Sequence, residues 1–168
     1  MSTTSSILET LQDKIKVWQN LNSNEISTKF LPSMSNTVYL VHVKPEFNGK
    51  ILDNEPSRIL YREFATGLLD ELISRRLENK LFKYLASLGL GPQLLYVDKA
   101  IRIEEFINGE PISCDDMINP DVQLLLLKEL VKYHTLKPTD LEQITPFDKF
   151  IYSMKMHQLI KEKRINTK

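Results

Sequence analysis

Residues 73–92 read ISRRLENKLFKYLASLGLGP, and they set how the rest of the chain is read. Ile73, Leu77, Leu81, Tyr84, Leu85 and Leu88 fall at i, i+4, i+8, i+11, i+12 and i+15, the spacing of one face of an α-helix. Gly89-Leu90-Gly91-Pro92 follows at once, with glycine and proline where a helix C-terminus uses them. The spacing predicts a helix from about Asp70 to Ser87.

On either side of that helix the pattern changes to strand. Upstream, Ile26, Thr28 and Phe30 alternate, Pro32-Ser33-Met34-Ser35-Asn36 interrupts, and Thr37 to Val43 is β-branched and apolar. That is strand, tight loop, strand. Pro45 to Pro56, with Asn48-Gly49 and Asp53-Asn54, reads as a turn or loop, and Arg58 to Phe64 as a third strand. Downstream, Gln93 to Val97 and Ile101 to Ile107 are short strands, ended by Asn108-Gly109-Glu110-Pro111. An amphipathic helix, Ile7 to Leu21 with Ser5 or Ser6 as its cap, precedes the strands. A leucine-rich helix, Val122 to Leu136 with Pro120 at its start, and a last helical stretch from about Pro146 to Lys163 follow them. Five strands with a single helix between the third and fourth are not a βαβ alternation. The order predicts an α+β fold, an antiparallel sheet with helices on one side.

Composition bounds the function. The chain has 168 residues, 22 basic and 22 acidic, with no formal net charge. A general nucleic-acid binder needs a basic surplus, so no nucleic-acid partner is expected. The lone Cys114 excludes a disulfide framework and a cysteine-based zinc site, and fits a reducing compartment. No run approaches the roughly 20 apolar residues of a transmembrane segment, and no signal-peptide core follows the polar N-terminus. The expectation is a soluble, cytoplasmic protein. Asp115-Asp116 reads as a capped turn rather than a metal pair. From Lys149 to Lys168 six basic residues face Glu162 alone, which reads as a solvated helix end.

Three groups lie where phosphate chemistry would want them. Ile59-Leu60-Tyr61-Arg62 puts a basic side chain on the third strand, and Glu78 sits on the helix that follows. A guanidinium facing polyphosphate needs a counter-charge to hold its long side chain in one rotamer. The loop Pro32 to Asn36 offers Ser33, Ser35 and Asn36 as small residues with donors, as a phosphate cradle does. Pro32 lacks an N–H and does not suit that role. Taken alone, the loop is a plain hairpin turn, and Arg62 and Glu78 are solvated charges.

Five motifs in order turn these readings into a resemblance. Met34-Ser35-Asn36-Thr37, Ile59-Leu60-Tyr61-Arg62, Glu78 counted back from Gly89-Leu90-Gly91-Pro92, Arg102-Ile103-Glu104-Glu105-Phe106-Ile107, and Leu130-Val131-Lys132-Tyr133-His134 before Pro138 resemble those of the choline/ethanolamine kinase family. The resemblance spans roughly Ile26 to Met156. It implies a protein-kinase-like N-terminal lobe: a five-stranded antiparallel sheet with an αC-like helix, plus N-terminal and C-terminal helices. It implies residues 1–24 as a helical extension, 25–107 as the lobe, and 108–168 as the hinge and first helices of a second lobe.

The resemblance also implies a site. Ser35, Asn36 and Arg62 would contact ATP phosphates, with Glu78 orienting Arg62, and Glu105 and Ile107 would offer backbone groups to adenine. The family phosphorylates choline or ethanolamine from ATP in phospholipid biosynthesis, with Mg bound by the catalytic lobe. The chain departs from the family in two places. Pro32-Ser33 stands where the family usually carries Gly-Gly, and none of His42, His134 and His157 begins a His-x-Asp motif. The catalytic and metal-binding aspartates of the family are therefore not assigned to any residue. The expectation is a truncated chain, inactive in transfer on its own. A non-catalytic module pairing with a full-length kinase, as a homo- or hetero-dimer, and a fragment of an aminoglycoside-phosphotransferase-like kinase are the alternatives.

Overall fold

The computed structural model describes residues 3–33, 36–51, 55–65 and 75–136. The sheet has five strands: β1 (Ile26–Leu31), β2 (Thr37–Val43), β3 (Arg58–Glu63), β4 (Leu94–Val97) and β5 (Ile101–Glu105). They lie in the order β1-β2-β3-β5-β4, and every pairing is antiparallel. Among the described residues three helices of more than two turns accompany it: α1 (Thr3–Lys14), α2 (Arg75–Ser87) and α3 (Pro120–His134). The fold is α+β. The described residues up to Phe106 form one compact unit and those from Ile107 a second.

Register assigns each strand residue to a face, because directly opposed residues share a side and successive residues alternate. Ile26 opposes Val43, Val41 opposes Ile59, and Tyr61 opposes Ile103. These side chains form the buried core together with Ile7, Leu8 and Leu11 of α1. The other face carries Val38, Arg62 and Arg102 in one row and Leu40, Leu60 and Glu104 in the next.

The helices cover both faces rather than one. α1 packs on the apolar face, and α2 meets the charged face through Glu78 and Asn79, which accept from Arg102. Each face carries groups that cannot be left as they stand in water or in apolar packing, so each takes its own cover.

Two local features depart from the periodicity. The first helix starts at Thr3, so neither Ser5 nor Ser6 is its cap, and it stops at Lys14. Ile15 is extended, and Lys16–Trp18 form a 3-10 turn. The β-branched Ile15 and Val17 disfavour continuation of the helix. The break is rewarded by Trp18 and Leu21, both fully buried. The Trp18 indole N–H donates to Pro56 O at 3.3 Å, and the Gln12 amide donates to Leu21 O at 2.7 Å. The segment Pro45–Lys50, expected as a loop, is a short 3-10 helix begun by its proline.

The stop after α2 follows the sequence expectation. Gly89 adopts φ +67°, Gly89 N–H donates to Ala86 O at 3.0 Å, and Leu90 N–H donates to Leu85 O at 3.0 Å. That double bond is the Schellman closure, whose positive φ favours glycine. In the second unit, Ser113 and Asp116 form a reciprocal capping box on the single helical turn Cys114–Met117, so Asp116 serves as a cap. Asn119 caps α3, which carries Pro120 in its first turn. Residues 70–74 at the expected start of α2, the last helical stretch and the basic segment 149–168 lie outside the described residues.

Leu11 has no exposed surface. Leu11→Ala is expected to destabilise the chain by about 3 kcal/mol, from lost burial plus a residual cavity. The exposed Glu9→Ala on the same helix should stay within about 0.5 kcal/mol. Urea unfolding followed by circular dichroism checks both; equal effects would show that α1 is not part of the core.

Candidate functional site

The charged face of the sheet begins with an unfavourable placement. Arg62 on β3 and Arg102 on β5 are directly opposed, and like charges across a strand pair repel. Glu104, two residues beyond Arg102 on the same face, lies between them. Its Oε1 accepts from Arg62 Nη2 at 2.8 Å and its Oε2 accepts from Arg102 Nε at 2.7 Å. Glu104 is 3% exposed and Arg102 5%. Both oxygens of this buried carboxylate are thus taken by hydrogen bonds from guanidinium groups.

Arg102 is fixed from the helix side as well. Its Nη1 donates to Glu78 Oε1 at 3.1 Å and to Asn79 Oδ1 at 3.3 Å. Its guanidinium lies 4.3 Å from the Phe82 ring centre and 5.8 Å from that of Phe64, within cation–π range of both. Glu78 Oε2 accepts from Arg75 Nη1 at 2.8 Å, and Arg75 stacks over Phe64 at 4.7 Å. Arg75 Nη2 reaches Asn36 Oδ1 at 3.5 Å, and the same oxygen accepts the Ala65 N–H at 3.2 Å. Asn36 thereby ties the start of β2 to the chain leaving β3.

The result is one continuous hydrogen-bonded chain: Asn36, Arg75, Glu78, Arg102, Glu104, Arg62. It joins three of the residues expected at the site, Asn36, Arg62 and Glu78. Their mutual arrangement differs from the expectation. Arg62 pairs with Glu104 and not with Glu78, and Glu78 pairs with Arg75 and Arg102. Among the described residues the chain is built from three guanidiniums, two carboxylates and one amide. Arg62 Nε is buried with no acceptor, a donor left over on the residue expected to meet phosphate.

The remaining expected residues stand elsewhere. Glu105 has alternated off the charged face. Its N–H donates to Gln93 O at 2.9 Å and its carboxylate accepts the Gln93 N–H at 3.1 Å. Ile107 opens the second unit and is exposed. Ser35 lies outside the described residues. A shallow groove of about 380 Å³ between α2 and β4, lined by Lys83, Gln93 and Tyr96 among others, contains none of the expected residues. Among the described residues no group of three or more His, Cys, Asp and Glu is placed to hold a metal ion.

Sequence reasoning missed Arg75, Arg102 and Glu104 as members of the site. Residues 101–104 read Ile-Arg-Ile-Glu. Charged residues alternating with isoleucine on a strand put both charges on one face, and that was the available signal.

Glu78 shows how the chain sets ionisation. Burial pushes its carboxyl up, but the hydrogen bonds from Arg75 and Arg102 outweigh it and hold the carboxyl below its ordinary 4.5. Below pH 4.5 the unfolded chain takes up that proton before the folded one does, so stability falls as pH falls. Glu78→Gln lacks this contribution. Thermal melts of both proteins from pH 7 downward should show the wild type's advantage shrinking below about pH 4.5; an advantage constant with pH would show that the Glu78 charge is not engaged.

The fold has counterparts of known structure. A choline kinase from Cryptosporidium parvum aligns with a TM-score of 0.65 at 21% identity, over 83% of this chain and 37% of that one. A Plasmodium vivax ethanolamine kinase aligns with a TM-score of 0.55 at 22% identity, over 71% and 30%. In sequence, a probable choline kinase 3 of Arabidopsis thaliana is 28% identical over 104 residues, 62% of this chain and 29% of the relative. A probable ethanolamine kinase of the same plant is 26% identical over 129 residues, 76% of this chain and 33% of the relative. The chain thus spans about a third of the length of these relatives. The family model for choline/ethanolamine kinase matches residues 27–167, most of the 168. The charged sheet face, the helix that meets it and the strand order thus sit within a chain that belongs to the choline/ethanolamine kinase family.

Proposed function

We propose that this chain is the nucleotide-facing part of a kinase that phosphorylates choline or ethanolamine from ATP, a cytoplasmic step in phospholipid headgroup synthesis. The observation that carries the reading is the convergence of Asn36, Arg62 and Glu78 on one hydrogen-bonded chain. Family membership supports it.

The residues suit a polyphosphate. Arg62 is the most exposed of the three guanidiniums in the chain. It binds phosphate oxygens and holds the nucleotide in register. Asn36, and Ser35 by its place in the sequence, complete the phosphate contacts from the β1–β2 loop. The backbone of Glu105 and Ile107 reads the adenine edge. ATP supplies the γ-phosphoryl group. Residues 1–24 and 108–168 flank the binding lobe, 25–107, as a helical extension and as the entry to the second lobe.

Transfer needs a base beside the acceptor hydroxyl and metal-binding carboxylates. The 168 residues hold no His-x-Asp motif, and no step is assigned here to Mg. These residues therefore bind nucleotide and do not transfer phosphate unaided, because positioning and charge stabilisation require both sides of the reacting groups. The choice between choline and ethanolamine belongs to the acceptor pocket, to which no residue of this chain is assigned.

Thermal unfolding with and without millimolar MgATP tests the reading. A ligand at a hundred times its Kd stabilises by about 2.7 kcal/mol, a Tm rise of about 5 °C or more for a chain this size. The rise is expected for the wild type and lost in Arg62→Ala. A wild type whose Tm ignores MgATP would end the nucleotide-binding claim.

A further inference from the structure

The charged face of the sheet holds a pairing that position along the sequence did not indicate. Among the described residues Arg62 has one ionic partner, Glu104 from the neighbouring strand, and not Glu78 on α2, the partner expected from the sequence. Glu78 has both its oxygens occupied by Arg75 and Arg102. The two carboxylates thus divide the labour: Glu78 fastens the helix to the sheet, and Glu104 fastens Arg62.

We propose that Glu104 on β5 is the positioning residue for Arg62, and that Arg102, gripped by Phe82, Phe64 and Glu78, is the anchor that holds Glu104 in place. The inference rests on the reading of Arg62 as a phosphate-binding group, and it changes which carboxylate governs that group.

Geometry and burial carry the argument. Glu104 and Arg62 oppose neighbouring positions of paired strands, so their separation is fixed by the sheet ladder. A partner on α2 would move whenever the helix moved; a partner on β5 does not. Glu104 is nearly inaccessible, and its second oxygen is held by Arg102 at 2.7 Å, so the carboxylate has one available orientation. Arg62 remains partly exposed and keeps Nε without an acceptor. It is therefore a partly exposed cation whose rotamer is set from the neighbouring strand. Movement of α2 would cost the Glu78–Arg102 bond first, because the bonds of Glu104 to Arg62 and Arg102 lie within the sheet.

The test uses the full chain with 15N-labelled arginine, and follows the Arg62 Nε–Hε signal by NMR without nucleotide. Burial of Nε slows exchange of its proton, so the signal is observable. The proposal expects an ordered signal in the wild type and in Glu78→Gln, and an averaged or vanished one in Glu104→Gln. Disorder of Arg62 in Glu78→Gln, or undisturbed order in Glu104→Gln, overturns it. Glu78 is partly exposed, so Glu78→Gln tolerates the change and decides the question alone if Glu104→Gln does not fold. A second arm measures MgATP affinity by calorimetry. Glu104→Gln should weaken it about tenfold, non-additively with Arg62→Ala, as coupled residues do. Glu78→Gln should weaken it less than Glu104→Gln does. Equal losses in the two glutamine variants contradict the proposal. A wild type that binds no MgATP removes the nucleotide reading, and the NMR arm still decides which carboxylate holds Arg62.

Discussion

Two arginines placed face to face across β3 and β5 are the constraint on which the charged side of this molecule is built. Sheet register brings Arg62 and Arg102 together, and nothing in strand geometry separates them. Glu104 makes the arrangement tenable by bonding to both. Isolated surface ion pairs contribute little, about 0–1 kcal/mol. A buried carboxylate shared by two guanidiniums is a different case, since removing it strips Arg62 of its counter-charge and leaves Arg102 with Glu78 alone, a loss on the order of 3–5 kcal/mol. The docking of α2 follows from the same pair. Arg102 needs further acceptors and aromatic faces, and Glu78, Asn79 and Phe82 of the helix supply them. Arg75 then extends the chain to Asn36 and the start of β2.

The apolar face explains why this charged layer can stay ordered. α1, its 3-10 turn and alternate residues of β1, β2, β3 and β5 form the core. The sheet is therefore held from one side by apolar burial, and its other side is free to carry polar chemistry. A segment expected as a helical extension is a wall of the core. The chain belongs to the choline/ethanolamine kinase family, and the proposed nucleotide contact would draw on such a platform.

Most of the fold was legible because its signals are periodic. Alternation marked the strands, the 3.6-residue stripe marked α2, and Gly89 marked its end. The break at Ile15 was not legible, because Ile15, Trp18 and Leu21 suit a continuing helix as well as a tight turn packed under Pro56. The side of the sheet that each helix covers was also hidden, since periodicity tells which face of an element is apolar and not which neighbour meets it. At the site, Asn36, Arg62 and Glu78 were named from the sequence by position. The partnership of Arg62 was not, because position along the chain says nothing about register across strands. Residues 62 and 104 are neighbours only once β3 and β5 are paired as they are.

A crystal structure of this chain with a non-hydrolysable ATP analogue and Mg tests the central claim most directly, through the contacts of the Arg62 guanidinium. The account predicts an analogue phosphate within hydrogen-bond distance of Arg62 while Arg62 keeps its bond to Glu104. A nucleotide bound away from Arg62, or an Arg62 that has left Glu104 for Glu78, would contradict it.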